Sequence, residues 1–308
     1  MPGVYASRVT EASAATDRKG ATRISLVVPA RDEAATVGPI VERLRLELME
    51  QVPFVDELVV IDSDSTDRTA AIAADAGASV HAASGIRPEL GRVEGKGEAL
   101  WKSQFVTTGD VLVFVDSDLV DWGPHFVTRL ALPLLEDPGV QLVKAVYHRP
   151  LLDESGHEVE TGGRVTELVA RPLLALHRPA LAGVVQPLSG EWAIRRNAFA
   201  AQHVPVGYGV EIAALVDVVD AFGAGAVAQA ELGRRTHRHH RHDTLGPMAL
   251  QVQHAVEVRL GVRPRPAFDS RVDLVQHDPT DDGFAPRVRH VAVGERPPAR
   301  DVLAGAAR

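Results

Sequence analysis

Two aspartates stand one residue apart at the end of an apolar run. In GDVLVFVDSDLVDWGP (109–124), Val111 to Val115 lead directly into Asp116-Ser117-Asp118. Carboxylates at that spacing repel each other unless a positive charge sits between them. Placed beyond a strand, they can serve one hard divalent cation, Mg2+ or Mn2+, that keeps open positions for phosphate oxygens. One of the pair can instead act through water or on a sugar. The ordinary alternative is two solvated loop acids ahead of a helix near Pro124. The buried run before them favours the metal reading.

Other residues offer complementary charge. Lys96 stands between Gly95 and Gly97 in VEGKGEALW (93–101), where glycines let the backbone approach a ligand and a lysine can meet phosphate. The spacing is not that of a P-loop, and a turn with an exposed lysine is the plain alternative. In TGGRVTELVARP (161–172), Gly162 and Gly163 free the backbone before Arg164 and Thr166, which makes an anion receptor at a helix start. RRTHRHHRH (234–242) is basic, and His237 within it can complete a cation's coordination as a neutral imidazole. Zinc fits that run poorly, because the histidines are too crowded for one tetrahedral site. Glu33 in VVPARDEAATV (27–37) lies just past a strand exit, and Tyr208 and Glu211 stand at a helix start in VPVGYGVEIAALVD (204–217). Helix-dipole complementation is the better reading of Glu33 taken alone and the ordinary alternative for Glu211.

Strand exits must gather these groups. The first half alternates strands at 24–30, 56–62 and 79–83 and at VLVFVDSD with helices at 33–50, 65–78 and 98–108. Apolar strands alternating with helices indicate a mainly parallel sheet with both faces covered, whose ligands collect at the carboxyl ends of the strands. Pro29-Ala30, Asp62-Ser63 and Asp116-Ser117-Asp118 fall at such ends. Beyond residue 150 the pattern loosens: a helix at 165–177 interrupted at Pro172, a strand at 189–196, a helix at 209–223, a strand at 226–233 and an amphipathic helix at 245–261. The expected organisation is a loose N-terminal arm (1–23), a regular α/β half (24–150), a less regular half (151–261) and an extended tail (262–308).

Bulk properties bound the function. The chain has 308 residues, a formal net charge of −8 and no cysteine. The charge argues against general nucleic-acid binding, and disulfides and thiolate metal sites are excluded. No apolar run is long enough for a membrane span, and no apolar segment opens the chain, so a cytoplasmic setting is expected.

The pattern resembles the actinobacterial glucosyl-3-phosphoglycerate synthases, retaining glycosyltransferases with a GT-A, Rossmann-like fold. The matching stretches are VVPARDEAATV, VIDSDSTDRTA, EGKGEALWKS, VFVDSDL, QLVKAVYHRP, GGRVTELVARPLL, QPLSGEWAIRR, GYGVEI and LGRRTHRHH, in the family's order over about residues 24–261. The resemblance implies transfer of glucose from UDP-glucose or a related nucleotide sugar to 3-phosphoglycerate. It implies Pro29, Ala30, Glu33 and Ser63 around the uridine, Lys96 on the donor phosphates, and Asp116, with Ser117, by the ribose and sugar. Asp118 and His237 would hold Mg2+ or Mn2+, and Gly163, Arg164 and Thr166 would receive the phosphoglycerate. Tyr208, Glu211 and Arg235 would line the sugar and diphosphate. A homodimer is implied as well, for which the apolar face of 245–261 is one candidate; the same face can pack within its own subunit.

Three departures stand out. His239 replaces a family asparagine that touches the acceptor, PARDE stands where PALNE is usual, and DSDS where DSGS is. The first keeps a related transferase with another small phosphorylated or carboxylated acceptor open. A nucleotidyltransferase, which would release pyrophosphate, and a non-catalytic sugar-nucleotide binder are the further alternatives. Glu211 is the candidate base if the leaving phosphate does not itself take the proton.

Overall fold

Apolar runs that alternate with helices close into one mixed sheet. The computed structural model describes residues 4–5, 12–148, 150–152, 158–160, 163–234, 242–280 and 283–306. The strands in chain order are β1 (Val4–Tyr5), β2 (Ile24–Ala30), β3 (Glu57–Asp62), β4 (Ser79–Ala82), β5 (Val111–Phe114) and β6 (Leu142–His148). There follow a short hairpin of β7 (Pro150–Leu152) and β8 (Glu158–Glu160), then β9 (Trp192–Arg195), β10 (Val204–Pro205) and β11 (Val227–Arg234). A long hairpin of β12 (Arg271–Thr280) and β13 (Gly283–Ala292) precedes β14 (Glu295–Arg296). The main sheet runs β1-β11-β6-β9-β5-β2-β3-β4. Its pairs are parallel except at β9, which lies antiparallel between β5 and β6. The mostly parallel α/β architecture is as expected.

The helices are α1 (Ala12–Lys19), α2 (Val37–Arg45), α3 (Thr69–Asp75), α4 (Lys96–Ser103), α5 (His125–Glu136), α6 (Arg171–His177), α7 (Arg196–Ala200), α8 (Val210–Phe222), α9 (His242–Arg259) and α10 (Ala299–Ala306). Strand residues alternate between two cores, as a two-residue side-chain period requires. Val27, Ile61, Leu112, Phe114 and Trp192 meet Ala99, Leu100, Ile212 and Leu215 of α4 and α8 on one face. Leu26, Val28, Val60 and Val113 meet Ile40, Val41, Phe126 and Leu130 of α2 and α5 on the other.

Several expectations change. Residues 12–23 are not a loose arm: α1 buries Ala15, and Lys19 Nζ reaches Asp56 at 2.8 Å. Nor is 262–308 an extended tail, since it carries β12, β13, β14 and α10. β14 pairs with β10, so the end of the chain is built into the fold. Pro172 does not interrupt its helix. Thr166–Ala170 forms a wide π-turn closed by the Arg171 N–H to the Thr166 carbonyl, and α6 then runs through Pro172 near its start, where the missing N–H costs little. β6 has no counterpart in the sequence reading, because Lys144 breaks its apolar run. The apolar face of α9 packs inside its own subunit, with Val252, Ala255 and Val256 buried in the same core as α8.

Candidate active site

The carboxyl ends of β2, β3 and β5 form one edge, and the polar residues that follow them are tied together. Ser63 N–H donates to the Ala30 carbonyl at 2.8 Å, and Ser117 Oγ donates to the Pro29 carbonyl at 2.9 Å. The loop carrying Glu33 is held from the side: its N–H donates to Thr69 Oγ1 at 2.7 Å, and its carboxylate accepts from Thr36 Oγ1 at 3.1 Å. Pro29, Ala30, Ser63 and Ser117 therefore lie together at one edge of the sheet, with Glu33 on the loop that follows β2.

The positive charge beside Asp116 is Lys96. Its Nζ lies 2.5 Å from Asp116 Oδ1 and 3.0 Å from Glu211 Oε1. Burial alone would lower the lysine's pKa, but Asp116 and Glu211 outweigh it and hold the value well above that of an ordinary lysine. Lys96 opens α4, Asp116 follows β5 and Glu211 sits in the first turn of α8, so three elements meet at one ammonium. Gly97 permits the approach. A Cβ there would lie 1.8 Å from the Pro205 carbonyl oxygen, so the start of α4 is pressed against β10.

Tyr208 and Asp118 complete the group. The Tyr208 hydroxyl has its pKa raised, by desolvation first, with Lys96 opposing and Asp116, Glu211 and Asp118 adding. Its backbone N–H donates to Gln251 Oε1 of α9 at 3.1 Å. Asp118 is half-buried and makes no hydrogen bond or ion pair with another described residue. The two aspartates thus differ: Asp116 is committed to Lys96, while no described residue occupies the oxygens of Asp118.

No group of three or more His, Cys, Asp or Glu among the described residues is placed to hold a metal ion. Mg2+ and Mn2+ at phosphate-transfer sites need no such cage, since one or two protein ligands suffice when phosphate oxygens and water supply the rest. A hard carboxylate at a strand end, its oxygens occupied by no described residue, is a donor of the right kind. His237, Arg235 and His239, expected as metal, diphosphate and acceptor contacts, lie outside the described residues. Gly163 is half-buried, Arg164 exposed and Thr166 buried, at the start of the helix that leads through the π-turn into α6. They stand on an element separate from the Lys96 cluster.

The departures from the family pattern have a structural basis at two points. Asp32 and Asp64 both take left-handed backbone, φ 54° and 58°, a region that Asp and Asn enter more readily than most residues. Asp32 Oδ1 accepts from Thr66 N–H at 2.7 Å. Asp64 pairs with Arg92 Nε at 2.8 Å. Their carboxylates anchor the loops whose backbone they strain.

Sequence reasoning missed Lys144 and Glu191, both fully buried beside the cluster. The available signal was a lysine in the middle of the apolar run LVKAVYH. A paired or functional lysine is the only kind an interior strand tolerates.

Residues 25–182 match Glycosyl transferase family 2. The glucosyl-3-phosphoglycerate synthase of Mycolicibacterium smegmatis is 45% identical over 280 residues, 91% of this chain and 90% of that protein. The crystal structure of glucosyl-3-phosphoglycerate synthase from Mycobacterium tuberculosis in complex with Mn2+, UDP and phosphoglyceric acid aligns with a TM-score of 0.86 at 39% identity, covering 98% of this chain and 99% of that one. The same enzyme in complex with Mn2+ and UDP-glucose aligns with a TM-score of 0.84 at 40% identity, covering 98% and 99%. The chain belongs to glycosyl transferase family 2 and, within it, to the glucosyl-3-phosphoglycerate synthases.

Proposed function

We propose that the protein transfers glucose from UDP-glucose to the 2-hydroxyl of 3-phosphoglycerate with retention of configuration. The observation that carries this reading is the Lys96–Asp116–Glu211 contact beside Asp118, which bonds to no other described residue, at the strand edge where an α/β sheet takes its ligands. The relatives' ligands support it. The M. tuberculosis enzyme has been crystallised with UDP-glucose, with UDP and phosphoglyceric acid, and with UDP and glucosyl-3-phosphoglycerate.

In this reading Pro29, Ala30, Glu33 and Ser63 receive the uridine, and Asp116 and Ser117 the ribose and sugar. Lys96 exchanges part of its carboxylate contact for the donor diphosphate, whose growing negative charge it offsets as the sugar leaves. A divalent cation, Mg2+ or Mn2+, held by Asp118 and His237 would supply further charge stabilisation there. Glu211 faces Lys96 as an ion-pair partner, so we assign it to orienting the lysine and leave the acceptor's proton to the departing phosphate. Tyr208 and Arg235 line the sugar and diphosphate. Gly163, Arg164, Thr166 and His239 take the phosphoglycerate. In the same reading 24–150 is the donor half and 151–261 the acceptor half, with Tyr208 and Glu211 reaching the donor from the second half.

We also propose a homodimer in the cytoplasm. The exposed Val275, Phe284 and Val288 on the long hairpin offer an apolar surface for the second copy. The deciding experiment is mass analysis of products over a grid of sugar nucleotides against 3-phosphoglycerate and related acids with Mg2+. Glucosyl-3-phosphoglycerate from UDP-glucose is expected. Release of pyrophosphate, or UDP binding with neither hydrolysis nor transfer, would refute the reading.

A further inference from the structure

The turn 186–191, just ahead of β9, is fastened to β6 at three points. Gln186 Nε2 donates to the Tyr147 carbonyl at 2.6 Å, Lys144 Nζ to the Ser189 carbonyl at 2.8 Å, and Ala145 N–H to the Glu191 carbonyl at 3.2 Å. The middle fastening uses a lysine with no exposed surface, in a strand where Leu142, Val143 and Ala145 are equally buried. An interior ammonium costs several kcal/mol in desolvation unless neighbours compensate, so a purely structural tie has cheaper solutions. The charged groups facing Lys144 are Glu211 on α8, Lys96 on α4, Glu191 in the turn and Asp116 beyond β5. Its Nζ also lies 5.5 Å from the centre of the Trp192 ring.

The turn in question is one wall of the site. A Cβ added at Gly190 would fall 2.1 Å from Asp116 Oδ2 and 2.9 Å from Lys96 Nζ. The Gly190 backbone is thus the surface against which that ion pair rests. A carbonyl one residue earlier is what Lys144 holds.

We propose that Lys144 is a positioning residue of the transfer reaction: by holding the Ser189 carbonyl it fixes the Gly190 turn against Asp116 and Lys96, and so sets where the donor's sugar and diphosphate lie. This rests on the reading of Lys96 and Asp116 as donor-side groups. The charge of Lys144 matters as well as its reach. Burial drives its pKa down to about 7, with Glu211, Glu191 and Asp116 opposing and Lys96 assisting. Below that pH the ammonium makes a charge-assisted bond to Ser189, and above it a neutral amine makes a weaker one. Turnover should therefore fall as pH rises through about 7.

The test is steady-state kinetics with UDP-glucose, 3-phosphoglycerate and Mg2+ over roughly two pH units around neutrality, on wild type, K144M, K144R and G190A, with UDP binding and Tm measured for each. K144M should lose about 10²-fold in kcat, with the acceptor KM little changed, because a misplacement of order 1 Å suffices for that loss. Its profile should lack the wild-type limb near neutrality. K144R should recover activity without the limb, since a guanidinium does not titrate there. G190A, which displaces Asp116 directly, should lose kcat but keep the limb, and it serves if K144R does not fold. A K144M enzyme that matches wild type in kcat and pH profile overturns the proposal, as does one that loses only Tm. A wild type that transfers no glucose overturns the donor-site reading instead.

Discussion

The donor half and the closing segment differ in how far the apolar pattern decides what is buried and what is exposed. In 24–150 the strands carry mainly Val, Ile, Leu and Phe inward, with Ser25, Asp62 and Lys144 buried beside them. In 262–306 Val291, Val293 and Ala299 are buried, but charged residues join them and large apolar ones stay outside. Arg296 is 2% exposed and Glu295 4%, while Val275, Phe284 and Val288 on the long hairpin are 51%, 76% and 50% exposed. What reconciles them is pairing. Arg296 grips Glu98 of α4 through two hydrogen bonds of 2.7 Å, donates to the Leu90 carbonyl at 2.7 Å, and lies 4.9 Å and 4.2 Å from the Trp101 and Phe268 ring centres. Arg259 of α9 joins Asp217 of α8 to Glu295 in the same way, at 2.8 and 2.7 Å. A fully satisfied charge can sit inside, and α4, which begins with Lys96, is the helix that the end of the chain clamps.

Breaking that clamp gives the largest expected effect. R296M should destabilise the fold by about 3–5 kcal/mol, because buried Glu98 loses its bidentate partner and keeps only Lys102, 3.7 Å away, and the double variant with E98M should regain part of it, the rest being lost because Lys102 then has no carboxylate. Denaturant midpoints decide the matter. A loss below about 1 kcal/mol would mean that the two regions are independent. Next comes the donor half itself: K96M should lower kcat by about 10²–10³-fold, as removal of one preorganised charge stabiliser does, when measured at a temperature where the variant, which leaves buried Glu211 without its ammonium partner, is still folded. Substitution on the acceptor side should be smaller and selective. R164A should cost about 1.5–3 kcal/mol in acceptor binding, seen as a rise in the 3-phosphoglycerate KM with the UDP-glucose KM nearly unchanged. Equal rises in both would mean that the acceptor lies elsewhere. The smallest effect belongs to the exposed hairpin, where F284S should change stability by no more than about 0.5 kcal/mol in a monomer. A larger loss, dependent on protein concentration, would mean that a second copy covers that face.

Much of the donor half was legible because its chemistry is local. An apolar strand followed at once by Asp116 and Asp118, and a lysine set between glycines at a helix start, need only the chain's own neighbours to make sense. Lys144, Glu191 and Arg296 were not legible in the same way. Each is a charged residue whose place depends on partners far along the chain: Ser189 for Lys144, Glu98 for Arg296. Local pattern reads such residues as surface. The proline- and arginine-rich closing segment looked like a tail for that reason.

The sequence by itself determined the alternation of strand and helix, the strand ends that carry polar groups and the family to which the chain belongs. These follow from periodicity and from short contiguous motifs, which folding does not rearrange. Only the tertiary structure decided that Asp116 is committed to Lys96 while Asp118 bonds to no other described residue. It alone inserted β9 antiparallel beside β5, and returned the end of the chain to hold α4. Those outcomes depend on which distant groups meet at bonding distance in a low-dielectric interior, and no local pattern encodes that meeting.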